Sequence, residues 1–383
     1  MSEHYSLVRH LADINPGSWD ALTDGHPFVQ HAFLAGLEST GCAVPGTGWA
    51  PHFLLMWRND ALVGAMPLYA KAHSRGEYVF DHGWAQAYRQ HGLPYYPKLL
   101  CAVPFTPVPG PRLLARTHAD RVALARKAIS ITRDNELSSL HVLYPDTDDS
   151  TALQEAGYMF RENIQFHWHN EGYRDLDDFL AQLSQPKRKK LKQDGKKARE
   201  AGVVFRWLDG DSLDDAALDF FYECYERTYY EHGNPPYLNR AFFGLLREHL
   251  PQHLLIVQAE LQGQPIAAAL NVRHGDTLYG RYWGCTQFIP GLHFETCYTQ
   301  AIAYCIAHGL QRFEGGAQGE HKLSRGMMPV RTRSAHWVAD QRYAQAIADF
   351  LERETAAVGD YLDVLREHSP YKAGRADADS TPR

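Results

Sequence analysis

The fold is decided by the stretch LLIVQAELQGQPIAAALNVRHGDTLYGRYWG, residues 254–284. Apolar residues run through 254–261, 265–273 and 277–283, and the turn Gln262-Gly263-Gln264 separates the first two runs. Apolar runs of this length, bounded by Gly and polar residues, are typical of strands. The stretch therefore predicts a hairpin followed by a third antiparallel strand.

The residues on either side of this stretch complete a module. Downstream, a Pro290-Gly291 loop precedes a predicted helix over 293–308 and a short strand over 312–314. Three antiparallel strands, a helix and a further strand are the elements of a GNAT module. Upstream, the pattern predicts a strand at 203–208 and helices at about 186–201, 213–230 and 240–248.

The first half of the chain repeats this order. Strand-like runs at 53–57 and 62–69 flank a polar turn, and a third run is predicted at 77–81. After an aromatic, Pro-rich stretch, the pattern predicts a helix over 118–133 and a strand over 139–144. A repeated order of elements indicates a repeated architecture.

We therefore predict an α/β (α+β) chain of two tandem GNAT-type modules with mixed, largely antiparallel sheets. The predicted division is an N-terminal module (1–170), a C-terminal module (171–370) and a flexible tail (371–383). A chain of 383 residues is long enough for two domains.

Composition excludes several classes of protein. The net charge of −6 gives no global attraction to polyanions, and 44% hydrophobic residues is an ordinary globular value. Charged residues interrupt the first twenty positions, so no signal peptide is predicted, and no apolar run is long enough to span a membrane. We expect a cytoplasmic protein. The six cysteines form no C-x-x-C pair, so no zinc ribbon is expected.

Motifs in both halves resemble the Fem-like GNAT N-acyltransferases of peptidoglycan biosynthesis or recognition. In the second half they are Tyr282-Trp283-Gly284, Pro290-Gly291-Leu292-His293-Phe294-Glu295 and Gly316-Ala317-Gln318-Gly319-Glu320-His321-Lys322. In the first half they lie in the runs 27–34, 73–81, 95–98 and 104–112. The resemblance implies transfer of an acyl or aminoacyl group onto an amine, with a peptidoglycan precursor or a related metabolite as the expected acceptor.

The donor stays open between an acyl-CoA and an aminoacyl-tRNA, and no tightly bound cofactor is expected. The GNAT loop that binds acetyl-CoA, Gln/Arg-x-x-Gly-x-Gly/Ala, is replaced here by the run 287–293, which holds one glycine. Gly291 and Leu292 are nevertheless the residues expected to contact the donor, because they open a helix whose positive end favours an anion.

Four side chains are predicted to be catalytic: His293 and Glu295 at the helix start, and Glu320 and His321 after the last strand. Because the two strands that flank the helix diverge in a GNAT module, these side chains can converge, and a histidine there can act as a general base. Neither His-x-Glu nor Glu-His matches a known zinc spacing, so no metal is predicted. Without a Gly-x-Ser-x-Gly elbow, direct attack by an amine is expected.

Further side chains are predicted to bind substrate through charge or hydrogen bonds. In the second half these are Arg281, Tyr282, Gln318, Lys322 and Arg325. In the first half they are Glu77, Asp81, Lys98 and Arg112, the last two by resemblance; the alternative for Lys98 and Arg112 is a salt bridge in an aromatic core.

A basic helix over 187–199 is either a solvated face or a contact surface for tRNA or a nucleotide-linked ligand. A second functional hypothesis is that the protein has no catalytic activity. It would then be a catalytically silent GNAT-scaffold binding protein, which recognises a cell-wall precursor or a similar anionic ligand.

Overall fold

The computed structural model describes residues 3–317 and 319–372. The strands are, in chain order, β1 (Glu3–Val8), β2 (Trp49–Pro51), β3 (Phe53–Arg58), β4 (Ala61–Met66), β5 (Leu68–Lys71), β6 (Lys98–Cys101), β7 (Leu114–Ala115), β8 (Ser139–Leu143), β9 (Met159–His169), β10 (Val203–Asp209), β11 (Leu254–Leu261), β12 (Gln264–His274), β13 (Thr277–Cys285), β14 (Arg312–Glu314) and β15 (Met328–Val338).

The helices are α1 (Pro16–Asp20), α2 (His31–Ser39), α3 (His82–Gln90), α4 (His118–Asp134), α5 (Thr147–Glu155), α6 (Leu176–Gln182), α7 (Gln185–Glu200), α8 (Asp215–Glu231), α9 (Arg240–His249), α10 (Leu292–Phe294), α11 (Gln300–Ala307) and α12 (Gln341–Glu367). A π-helical turn (Glu295–Thr299) joins α10 to α11, and a 3-10 turn covers Glu320–Arg325.

The chain forms two compact units: Met1–Asn163 with Thr332–Gly359, and Ile164–Arg331 with Asp360–Arg383. It leaves the first unit within β9, returns within β15 and leaves again within α12. The predicted division at 170/171 did not include this return of 332–359 to the first unit.

The first unit contains two runs of strands. One is the antiparallel sheet β1-β3-β4-β7, and the other has the order β2-β5-β6-β8-β15. Within the second run, β6 and β8 are parallel, with Leu99 opposite Leu140, and α4 connects them. The core lies between α4 and the sheets, where Leu54, Leu124 and Val142 are fully buried.

The second unit has the strand order β10-β11-β12-β13-β14-β9, antiparallel except for the parallel pair β13–β14. On one face, Leu278 and Phe313 pack with Ile302 of α11. Trp283 packs towards α10, and its neighbour Gly284 faces α8 on the opposite side, as alternation along a strand requires. The unit is therefore a sheet between two layers of helices.

Gly284 is a glycine because α8 passes directly over it. A Cβ at this position would lie 1.9 Å from the carbonyl oxygen of Cys224. No side chain fits at that distance, so the close packing of α8 on the sheet requires the glycine of the Tyr282-Trp283-Gly284 motif.

Most elements predicted from periodicity are present, and one strand prediction is wrong. Residues 77–81 are irregular, and the following residues form α3. The Glu77 and Asp81 carboxylates both bind the ammonium of Lys98. In a strand, residues four apart are separated by about 13 Å and could not reach one nitrogen.

Tyr371 of the predicted tail is bound to the second unit. Tyr371 pairs with Leu183 in an isolated bridge, and its hydroxyl donates to the Gly326 carbonyl at 2.7 Å. The rest of the predicted tail, residues 373–383, lies outside the described residues.

Candidate active site in the second unit

The sheet of the second unit opens where the parallel pair β13–β14 ends. Its last pair is Tyr279 with Glu314, after which β14 stops while β13 continues to Cys285. Among the described residues, no strand lies beside this extension of β13 on the β14 side. The chain turns away through Gly315-Gly316, and Gly316 still lies against Gly280, where its Cβ would be 3.7 Å from the carbonyl oxygen.

The equivalent place in the first unit is closed by the chain itself. After the parallel pair β6–β8, Gly110 bonds in both directions with the segment after β8: its N–H donates to Tyr144 O at 3.0 Å, and its carbonyl accepts from Asp146 N at 3.1 Å. The Arg112 side chain fills the remaining space and donates to Leu143 O at 2.8 Å. An open strand edge is therefore a property of the second unit.

A buried carboxylate stands at the opening. Glu314 is 5% exposed, and its Oε2 accepts no hydrogen bond from a described residue. Burial raises the pKa of Glu314 to about 7, although the charges of Arg312 and Arg281 act in the other direction. His167 lies opposite on β9, its Nε2 3.8 Å from Oε2, and burial holds the pKa of His167 well below its usual range.

Two cations border the same opening. The Lys322 ammonium is buried and donates to Gly316 O at 2.9 Å. Burial lowers the pKa of Lys322 to about 8, opposed by nearby Cys297 and assisted by the charge of Arg281. The Arg281 guanidinium carbon lies 5.1 Å from the centre of the Tyr282 ring. The structure therefore brings together three of the predicted substrate-binding residues: Arg281, Tyr282 and Lys322.

The two predicted histidines also meet. The His293 ring lies 5.9 Å from that of Tyr298, whose hydroxyl is 3.1 Å from His321 Nε2. Burial lowers the pKa of His293 to about 4, and the charges of His321, Arg325 and Lys322 lower it further. Burial is also the main cause that lowers the pKa of His321. Both rings are therefore neutral at physiological pH.

The predicted donor contacts are packed against α7. Gly291, at φ 87°, is so close to this helix that a Cβ would lie 2.5 Å from Asp194 O. Leu292 is buried, and so is Glu295, which accepts from Gln300 Nε2 at 3.0 Å. A Cβ at Gly195 would lie 2.7 Å from Glu295 Oε2. The helix start thus already has a carboxylate beside its positive end.

Three other predicted residues do not join the cluster. The Tyr361 hydroxyl donates to the exposed Glu320 carboxylate. Arg325 is buried and ion-paired with Asp194 at 2.7 Å. Gln318 lies outside the described residues. The predicted convergence of four catalytic side chains is therefore corrected: His293 and His321 meet, whereas Glu295 and Glu320 bind elsewhere.

In the first unit, the predicted ligand residues form a buried network. The Lys98 ammonium is fully buried and donates to Glu77 at 2.7 Å, to Ser74 at 2.8 Å and to Asp81. Burial raises the pKa of Glu77 to about 7. Burial would also raise the pKa of Asp81, but the Lys98 charge holds it below its usual range.

Arg112 is buried as well. Its guanidinium donates to three backbone carbonyls: Leu143, Pro111 and Val108. A side chain used in this way closes the end of the β6–β8 pair, so the expected grip on a diphosphate is corrected to a structural role. For Lys98, the buried network is the salt bridge in an aromatic core that was the alternative to a ligand-binding role.

Sequence reasoning missed Glu314 and His167. The available signal was the strand Arg312-Phe313-Glu314, in which a single carboxylate directly precedes two glycines. The described residues hold no group of three or more His, Cys, Asp or Glu side chains arranged to bind a metal ion.

The family is identified by comparison with known proteins. The family described as FemAB-like, peptidoglycan biosynthesis/recognition, matches residues 10–373. This chain belongs to the FemAB-like family. No curated protein matches it in sequence.

Three solved structures resemble this FemAB-like protein. FemX matches with 14% identity and a TM-score of 0.55, covering 91% of this chain and 100% of FemX. The L-PGS from Bacillus licheniformis matches with 9% identity and a TM-score of 0.53, covering 90% and 97%. A conserved protein of unknown function from Bacteroides thetaiotaomicron matches with 11% identity and a TM-score of 0.51, covering 88% and 100%.

The family match confirms the Fem-like resemblance, and the mixed sheets with their helices confirm the α/β fold class. The family match places this chain among proteins of peptidoglycan biosynthesis or recognition. None of the helices in the described part of the chain is long and apolar enough to cross a membrane.

Proposed function

We propose that this FemAB-like protein transfers an aminoacyl or acyl group from an activated donor to an amine, on a peptidoglycan precursor or a related metabolite. The observation that carries the proposal is the opening beyond Tyr279 and Glu314, bordered by Lys322 and Arg281. A carbonyl held in this opening lies next to buried positive charge, which stabilises the oxyanion that forms when an amine attacks.

Direct attack is favoured over a covalent enzyme intermediate. The thiols nearest the opening are Cys285 and Cys297, and burial raises the pKa of both. A thiol with a raised pKa is a poor nucleophile at neutral pH. The amine of the acceptor is then the attacking group, and the protein contributes position and charge.

An aminoacyl-tRNA suits the second unit better than a CoA thioester. The helix start that holds the CoA diphosphate in ordinary GNAT modules is packed here against Asp194 and carries the buried Glu295 carboxylate. A diphosphate there would meet the Glu295 carboxylate, whose ion pair with Arg199 is long, at 4.0 Å. Beside it, α7 exposes Lys189, Lys190 and Lys197, which suit a polyanionic donor.

The test is a transfer assay with the full-length protein. Alanyl-, seryl- and glycyl-tRNA labelled in the amino acid, and labelled acetyl-CoA, are offered with a nucleotide-linked peptidoglycan precursor. Transfer to an amine gives an amide that survives mild alkali, whereas the donor ester does not. We expect amide product from an aminoacyl-tRNA.

The matched variants are Lys322→Met, which removes the buried charge at the opening, and Lys127→Met, a lysine on α4 of the first unit. Loss of an oxyanion-stabilising group typically lowers kcat about 10²- to 10³-fold. We expect that loss for Lys322→Met alone. Binding of the precursor without amide product from any donor would contradict the proposal and support the silent binding protein.

A further inference from the structure

The Glu314 carboxylate makes few interactions that would stabilise the fold. Other buried carboxylates of this protein have one oxygen firmly bonded: Asp149 Oδ2 accepts from the backbone N–H groups of Arg112 and Leu113 at 2.5 and 2.9 Å. For Glu314, the nearest cation is Arg312, whose Nε lies 3.4 Å from Oε1, and Oε2 accepts nothing from a described residue. Because a buried carboxylate oxygen that accepts no hydrogen bond is costly, the ion pair with Arg312 alone does not explain this residue.

The position of Glu314 relates it to the opening and to one face of the sheet. Its neighbour Phe313 packs in the core with α11, so Glu314 points to the opposite face. That is also the face of α8, where the Tyr225 ring lies 5.0 Å from the Tyr282 ring. His293 and His321 lie on the α10–α11 side, with Phe294.

The charges around Glu314 are positive. Arg312 and Arg281 lower its pKa, and His167, which faces it across the β9–β14 pair, is a neutral ring because burial holds its pKa well below the usual range. Lys322 is close enough to lower the pKa of His167. An ammonium that enters among these cations is destabilised relative to the free amine, and Glu314 is the carboxylate at hand to take its proton.

We infer that Glu314 is the general base of the transfer reaction, and that the acceptor is a primary alkylamine that reaches the opening from the α8 face. This inference rests on the proposed function. The amine nitrogen bonds to the donor carbonyl carbon, and the bond from that carbon to the donor oxygen or sulfur breaks. Glu314 takes one proton from the entering ammonium and releases it to solvent, and the free amine then attacks. A second proton passes from the nitrogen to Glu314 and on to the leaving group, which departs as an alcohol or a thiol.

The acid–base properties of the residues agree with this geometry. A carboxyl group whose pKa burial has raised to about 7 is a stronger base than an exposed one and is half ionised near neutral pH. His293, with a pKa lowered to about 4, is a weak base.

The experiment compares two nucleophiles that differ in how much they need a base. Full-length wild-type protein, Glu314→Gln and the control Glu223→Gln, an exposed carboxylate on α8, are given alanyl-tRNA or acetyl-CoA. Each donor is offered to Nα-acetyl-lysine, whose amine is protonated at neutral pH, and to hydroxylamine, which is already mostly unprotonated. Rates without protein are subtracted.

We expect Glu314→Gln to lower kcat/KM for the alkylamine about 10²-fold, the usual contribution of general base catalysis, and to change the hydroxylamine rate little. The wild-type alkylamine rate should level off above neutral pH as Glu314 becomes fully ionised, and Glu314→Asp should keep this levelling. The rate of Glu314→Gln should instead follow the concentration of free amine and rise throughout. Glu223→Gln should match the wild type.

An equal loss with both nucleophiles would show a structural role, and no loss with either would exclude Glu314; both results overturn the inference. If the wild type transfers from none of the donors of the transfer assay to the precursor or to either nucleophile, the proposed function itself is contradicted, and the inference with it. Active wild type with an unaffected Glu314→Gln contradicts the inference alone.

Discussion

Tyr279 on β13 and Glu314 on β14 lie opposite each other in the last pair of the parallel ladder of the second unit. Beyond them β13 continues and β14 does not, so the carboxylate of Glu314 lies at the end of a sheet rather than inside one. Its raised pKa follows from burial, and burial has a consequence for stability that can be measured without a substrate.

The stability of the protein should depend on pH through Glu314. Its pKa is about 7 in the folded protein and 4.5 in an unfolded chain, so between these values the folded state keeps a proton that the unfolded state loses. The free energy of unfolding therefore falls as pH rises through this window, by about 3 kcal/mol for this group. Urea denaturation from pH 4 to pH 8 should show a smaller decrease in Glu314→Gln than in the wild type. An unchanged slope would mean that Glu314 is not buried as described.

The basic face of α7 should contribute to binding of polyanions without contributing to stability. Lys190 and Lys197 are exposed, seven residues apart on one helix face. Reversing both to Glu should weaken binding of tRNA at low salt at least about tenfold, with a smaller difference at high salt. The unfolding midpoint should hardly change.

The control for this variant has the same change in net charge. Arg89→Glu with Arg126→Glu reverses two exposed cations of the first unit. Equal weakening by both pairs, measured by filter binding across a salt series, would show a non-specific charge effect and would return α7 to a solvated face.

Gly291 should not tolerate a side chain. Its φ of 87° and a Cβ position 2.5 Å from Asp194 O combine backbone strain with a clash against backbone. We expect Gly291→Ala to destabilise the protein by more than the roughly 1–3 kcal/mol of a strained backbone residue. Gly263→Ala, at φ 77° with nothing within 4 Å, is the matched control and should show the strain alone. Similar midpoints of the two variants in thermal denaturation would contradict this contact of α7.

The buried network of the first unit should be intolerant of losing its cation. Lys98→Met leaves Glu77 and Asp81 buried without the ammonium that binds both. Removing one partner of a buried ion pair typically costs about 3–5 kcal/mol. The triple variant Lys98→Met, Glu77→Gln, Asp81→Asn removes the unpaired charges and should be more stable than Lys98→Met in urea denaturation. If the triple variant is the less stable of the two, unpaired buried charge is not the reason why Lys98→Met lowers the free energy of unfolding.

The sequence by itself determined the local elements and the family. Residues 254–284 form three short apolar runs bounded by Gly and polar turns, a pattern typical of strands, and the structure has β11, β12 and β13 there. The helices over 118–134 and 215–231 follow equally from their periodicity. The motifs after β13 and β14 pointed to the Fem-like family, because they are local strings that can be read without knowing the contacts between distant segments.

Only the tertiary structure decided which side chains meet. The residues of the motif 316–322 are neighbours in sequence, yet Glu320 binds Tyr361 while Lys322 turns inward to the opening. The return of 332–359 to the first unit carries no local signal either. Glu314 was overlooked because a lone carboxylate in a strand is usually exposed. Here β13 and β9 pair on either side of it, the side chain is buried, and burial raises its pKa. Charge and contact between distant segments depend on packing, and packing is what a linear pattern does not contain.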